Sequence, residues 1–196
     1  AVLDSNIRHR LYLEQRVRHL NRVLSSIRDV NQLITTQPDT DVLLQEAVAI
    51  LTGEGGYLRA MVVLFGGPHQ KNGMVAAGFA SLGEKRWYGC EDVEVPPCMH
   101  LALETPEVEV AEVGRALCAS CAMEEECCGS SAMAVRLEHQ GRVFGALCVA
   151  LPEDFRKDSE ERGLIVELAG DMAFALYSRE LEEQRSAAEG ELRESE

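Results

Sequence analysis

From Leu13 onward the apolar positions of this chain recur at alternating steps of four and three: Leu13, Val17, Leu20, Leu24, Ile27, then Asn31 and Ile34. The spacing is a heptad seam with one polar member, Asn31, and it predicts a helix over residues 1–37, a stretch without Pro or Gly. Upstream the seam meets Arg10 and Asn6 and breaks down. Two placements suit such a helix. It lies along its own domain, or it joins a second copy as a parallel, dimer-forming coiled coil. Pro38-Asp-Thr-Asp41 interrupts it and offers capping oxygens to a second helix over residues 42–51, closed by Gly53.

The period then shortens. Residues 58–65 and 74–79 read as strands joined by the turn-rich stretch GGPHQKNG. Pro96-Pro97 opens a short apolar helix over residues 98–104, and a brief strand follows at 108–111. Two longer strands, 132–139 and 143–150, flank Gln140-Gly141-Arg142, a tight hairpin signal in which Gly supplies a positive φ. Asp158-Ser159-Glu160-Glu161 starts a last helix with Leu164, Leu168, Met172, Ala175 and Leu176 on its apolar face. Beyond Leu181 that helix turns polar, and the tail EEQRSAAEGELRESE needs a partner helix or a following domain. Adjacent antiparallel strands with helices at both chain ends predict an α+β fold, an antiparallel sheet with helices on one face.

Composition narrows the function classes. A chain of 196 residues, 46% hydrophobic, can bury a core for one domain plus extensions. Its 19 basic and 33 acidic residues leave a formal net charge of −14, which repels phosphate backbones and anionic lipid. Nucleic-acid binding and direct membrane contact are therefore not expected. Apolar runs such as AMVVLF are far shorter than a membrane span, and no signal peptide is read. Seven cysteines, an odd number in a chain too large to need disulfide staples, point to a reducing cytoplasm. The chain begins at Ala and ends inside a charged run, as expected of a fragment of a longer protein.

Candidate chemistry centres on CASCAMEEECCG, residues 118–129. Cys118-x-x-Cys121 has the spacing of one metal knuckle, with Cys127 and Cys128 just beyond and Cys98 at the start of the short helix. Glu124, Glu125 and Glu126 disfavour a thiolate but favour a bound cation. The expected ligand set is Cys98, Cys118, Cys121 and Cys128, with Cys127 as the alternative fourth ligand, holding zinc or an iron–sulfur cluster. Two other readings stay open: an inert, reduced surface loop and a regulatory disulfide. Cys148, between Ala146 and Ala150 on a strand, reads as a small core hydrophobe. Trp87-Tyr88 either line a ligand pocket or cover the core edge, and His9 and His19 read as solvated helix positions. No phosphate loop or dinucleotide fingerprint occurs, and no catalytic residue is assigned.

The stretch GRVFGALCVALPEDFRKDSEERGLIVELAGDMAFAL, residues 141–176, resembles the closing hairpin and helix of GAF sensory domains: a Gly-x-x-x-Gly-x-Leu strand, Phe, then an acidic helix start. The resemblance spans residues 39–181. The front, RVRHLNRVLSSIRDVNQLI, is similar to the signalling helix that precedes such modules, and ELRESE to the lead-in of a PAS domain in bacterial multidomain sensors. Pro97-Cys98 and Cys118-x-x-Cys121 are similar to a cysteine-bearing subgroup in sensor kinases of anaerobic bacteria. The resemblance implies a signalling helix at 1–37, a GAF domain at 38–181 and a helical linker at 182–196. It also implies a non-catalytic cytoplasmic module that senses a small ligand, metal or redox state. Such a module is a homodimer through its terminal helices and relays to covalently attached domains such as a histidine kinase. The Asn-Lys-Phe-Asp-Glu signature of cyclic-nucleotide binders is absent, and the Cys-His pair of bilin-attaching members is replaced by Cys98-Met-His100. The alternative is a free-standing thiol enzyme of the methionine sulfoxide reductase type, whose cysteine set Cys90, Cys98 and Cys118 could imitate.

Overall fold

The structure, a computed structural model, describes residues 2–65, 73–79, 87–88, 95–104, 110–113, 121, 126, 130–152 and 159–194. Its elements are α1 (Val2–Thr36), α2 (Thr40–Gly53), β1 (Arg59–Leu64), β2 (Gly73–Ala77), β3 (Trp87–Tyr88), α3 (Pro97–Glu104), β4 (Val110–Val113), β5 (Ser130–His139), β6 (Arg142–Pro152) and α4 (Ser159–Glu194). The strands form one antiparallel sheet in the order β3-β2-β1-β6-β5-β4. The α+β antiparallel fold expected from the element order is present. Strand β3, at Trp87–Tyr88, adds to the strands expected from the sequence; its backbone pairs with β2 through Gly73↔Tyr88 and Met74↔Trp87.

Local chemistry sets the boundaries. Asp39, in an extended conformation, caps α2 by accepting from the backbone N–H groups of Asp41 at 2.9 Å and Val42 at 3.0 Å. Gln140 and Gly141 both have positive φ, 50° and 77°, the two-residue turn whose twist suits a β-hairpin. Gly145 answers a different need. A Cβ there would lie 1.9 Å from the Val63 carbonyl oxygen, so β1 and β6 approach as they do only because position 145 carries no side chain. The two glycines of the Gly-x-x-x-Gly motif thus make the turn and the close strand approach.

Strand alternation divides the interior in two. Ala60, Val62, Leu64, Met133, Val135, Leu137, Leu147, Val149 and Leu151 point to one face, where α1, α2 and α4 supply Val23, Leu44, Leu51, Leu168 and Met172. Met61, Val63, Ala134 and Ala146 point to the other face, where α3 supplies Met99 and Ala102. The three longer helices share one face, as expected, and α3 covers part of the opposite one.

Helices α1 and α4 run parallel. Arg16 pairs with Glu160 at 3.1 Å, His19 with Glu161 at 2.8 Å, and the Asn31 amide donates to Asp171 at 2.8 Å. Arg179 closes the register by donating to the carbonyls of Ile34 and Gln37, placing a cation at the end of a helix with no basic residue in its own last turn. The first turns of α1 therefore project from one end of the domain and the last turns of α4 from the other. The heptad series splits accordingly. Ile27 is buried in the domain's own core and Ile34 packs against it, whereas Leu13, Val17 and Leu24 are 42%, 57% and 47% exposed. The face that α1 buries is His19, Val23, Ser26, Ile27 and Val30.

Candidate functional site

Cys148 lies on β6, inside the sheet, with Met61 opposite it on β1 and Ala134 opposite it on β5. Alternation turns it away from Leu147 and Val149, toward the face covered by α3. On that helix Pro97 occupies the first position, where a missing N–H costs nothing, and the Pro96 carbonyl accepts from Met99 at 2.9 Å and His100 at 3.1 Å. Cys98, next in line, reaches down to the strand. Its Sγ lies 3.8 Å from Cys148 Sγ, both half-buried among Met61, Val63, Met99, Ala102, Ala134 and Ala146. The contact with Cys148 is the main influence holding the Cys98 thiol below its ordinary value. Burial pushes it up, and the backbone N–H groups of Met99 and Cys98 pull it further down.

Of the expected ligand set, Cys98 and Cys121 are described, Cys121 being half-buried and in no disulfide. Cys118, Cys127 and Cys128 lie outside the described residues, as do Cys90, Glu124 and Glu125. Among the described residues no group of three or more His, Cys, Asp or Glu side chains could hold a metal ion. The partner the structure does give Cys98 is Cys148, read from the sequence as a small core hydrophobe. It is half-buried and packs against the smaller core, but it is also one half of a sulfur pair.

A second polar cluster sits on the opposite face. His19 and Glu161 are 2% and 0% exposed at their side chains, and the Tyr57 ring meets the His19 ring edge-on at 6.1 Å. Burial first, and then the Glu161 carboxylate, hold the Tyr57 phenol well above its ordinary value. This corrects the reading of His19 as a solvated position: the imidazole is an internal tie between α1 and the first turn of α4. His9 is exposed, as read.

The sequence model described as GAF domain matches residues 39–176, and the chain belongs to that family. GAF domains are, as a class, ligand-sensing regulatory modules. Solved structures agree on the fold. The nlh2 GAF domain of A. aeolicus in an inactive state superposes with a TM-score of 0.65 at 11% identity, covering 83% of this chain and 99% of its own. The phycoerythrobilin-bound GAF domain of a cyanobacterial phytochrome gives 0.58 at 16% identity, covering 83% and 98%. Free methionine-R-sulfoxide reductase from Neisseria meningitidis, in complex with its substrate, gives 0.55 at 14% identity, covering 81% and 90%. No curated protein matches the sequence. No helix among the described residues is long and apolar enough to cross a membrane.

Proposed function

We propose that this chain is the sensory module of a larger signalling protein, taking its stimulus on the α3 face and passing it along α1 and α4 to an attached output domain such as a histidine kinase. The observation that carries the reading is the parallel clasp of α1 and α4 through Arg16–Glu160, His19–Glu161, Asn31–Asp171 and Arg179. A helix that arrives at one end and a helix that departs from the other are held in register by the same domain. A change in the sheet beneath them can therefore alter the phase of both. Leu13, Val17 and Leu24 supply an apolar stripe on α1, and Phe174 and Leu181 supply exposed apolar side chains on α4. These suit a homodimer through the terminal helices, in which each such side chain, once buried, contributes roughly 1.5–3 kcal/mol.

The thiol-enzyme alternative shares the fold with the methionine sulfoxide reductase but gains no further support from that likeness. Sedimentation equilibrium tests the dimer. The chain should be dimeric at micromolar concentration and Val17→Glu should make it monomeric; a wild-type monomer at tens of micromolar contradicts the helix pairing. Thiol-dependent turnover of methionine sulfoxide by the purified chain would contradict the purely regulatory reading.

A further inference from the structure

Cys98 and Cys148 are separated by 50 residues, yet their sulfurs lie 3.8 Å apart on the face where the stimulus is proposed to act. A disulfide bond is about 2.05 Å long, so the pair is within about 2 Å of bonding. Cys148 is pinned in the sheet, with β1 on one side of its strand and β5 on the other, so the approach falls to α3. The packing permits it. Val63 and Val95 are branched, but Met61, Met99, Ala102, Ala134 and Ala146, most of the side chains around the sulfurs, are flexible or small and adapt to a shift. A tetrahedral zinc with bonds of about 2.3 Å would also hold two sulfurs about 3.8 Å apart, so spacing alone does not decide between metal and disulfide. The partner that the structure gives Cys98 is a second thiol, and the experiment below separates the two outcomes.

We propose that Cys98 and Cys148 form a reversible disulfide, which makes the α3 face a two-electron redox site with a peroxide as oxidant; its purpose, though not its chemistry, rests on the sensory reading above. The Cys98 sulfur attacks one peroxide oxygen, the O–O bond breaks, and the thiol proton leaves with the departing oxygen as water or an alcohol. Cys98 is then a sulfenic acid. The Cys148 sulfur attacks the Cys98 sulfur, the S–O bond breaks, and the departing hydroxide takes the Cys148 proton as water. Two thiols and one peroxide thus give one disulfide, one water or alcohol, and one further water, the sulfurs losing the two electrons that the peroxide gains. A dithiol restores the pair by thiol–disulfide exchange. The new bond draws the first turn of α3 onto β6.

The test uses the 196-residue chain, fully reduced, treated with stoichiometric hydrogen peroxide, alkylated, and digested without reductant for mass spectrometry. The expected product is a linked peptide pair containing Cys98 and Cys148, reversed by dithiothreitol. It should persist when Cys118, Cys121, Cys127 and Cys128 are all changed to Ser. In Cys148→Ser the sulfenic acid should accumulate at Cys98 and be captured by dimedone. Linkage of Cys98 to a cysteine of the 118–128 stretch would overturn the proposal, as would full alkylation of both residues after excess peroxide. So would a stoichiometric zinc or iron whose removal alone exposes Cys98 and Cys148. Failure of the sensory reading looks different: the disulfide forms, but the terminal helices do not respond.

Discussion

On one face of the sheet three helices press branched and aromatic side chains from β1, β5 and β6 into a core where Leu147, Leu151, Ile165 and Leu168 are fully buried. On the other, the short α3 meets a smaller cluster in which methionine, alanine and cysteine outnumber the branched Val63 and Val95. The polar groups differ in the same sense. The helix face holds ionisable side chains in fixed partnerships, His19 with Glu161 and Arg142 with Glu180. The α3 face holds two sulfurs in contact, a pair with two chemical states. Branched side chains in defined rotamers resist displacement, whereas methionine and alanine give way at little cost. On the proposed sensory reading, one face holds the helices in register and the other is the face that changes.

The largest expected effect comes from the residue that serves both faces. Gly145→Ala would push a methyl group against the Val63 carbonyl and force β1 from β6, where side chains of both cores are anchored. Chemical denaturation should show a loss of about 3–4 kcal/mol. A loss below 1 kcal/mol would mean that the strands part easily and that the two faces are not rigidly joined.

The next effect is confined to the helix face. Glu161→Ala removes the partner of a buried histidine and should cost about 2–3 kcal/mol, again by denaturant titration. The Cys98–Cys148 disulfide should still form in this variant, since the two clusters lie on opposite faces. Loss of the disulfide would show that the approach of the two sulfurs depends on the packing of the helix face.

The smallest effect belongs to the α3 face. In the reduced chain, alkylation of Cys98 should reach half its maximal rate at a pH below the ordinary thiol value of about 8.5. Cys148→Ala removes the main influence that lowers it while burial, which raises it, persists, so the midpoint should move up. An unchanged midpoint would break the link between the two sulfurs while leaving overall stability nearly untouched.

How far the sequence could be read follows the same division. The hairpin turn, the cap at Asp39 and the apolar face of α4 are local signals, and the structure has each of them where the residues place it. Helix α1 was legible as a helix but not in its orientation. Leu13, Val17 and Leu24 form one stripe and Val23, Ile27 and Val30 another, and periodicity alone cannot say which meets the domain. His19 belongs to the second stripe, four residues before Val23, and that position was the available sign of its burial. The sulfur pair was the least legible, because it joins two elements across 50 residues of chain. Strand parity does turn Cys148 away from Leu147 and Val149, but nothing local places α3 above it. The crowding of cysteines in residues 118–128 is the stronger local signal for a metal site, and most of that stretch lies outside the described residues.

The claim that joins these parts is that a change on the α3 face reaches α1 and α4 through the sheet. Hydrogen–deuterium exchange on the reduced and the peroxide-oxidised chain, resolved by peptide, tests it most directly. The account predicts altered protection in α3 and β6 together with altered protection along α1 from His19 to Ile34 and along α4 from Glu161 to Arg179. A change confined to α3 and β6, with both long helices exchanging as before, would contradict it.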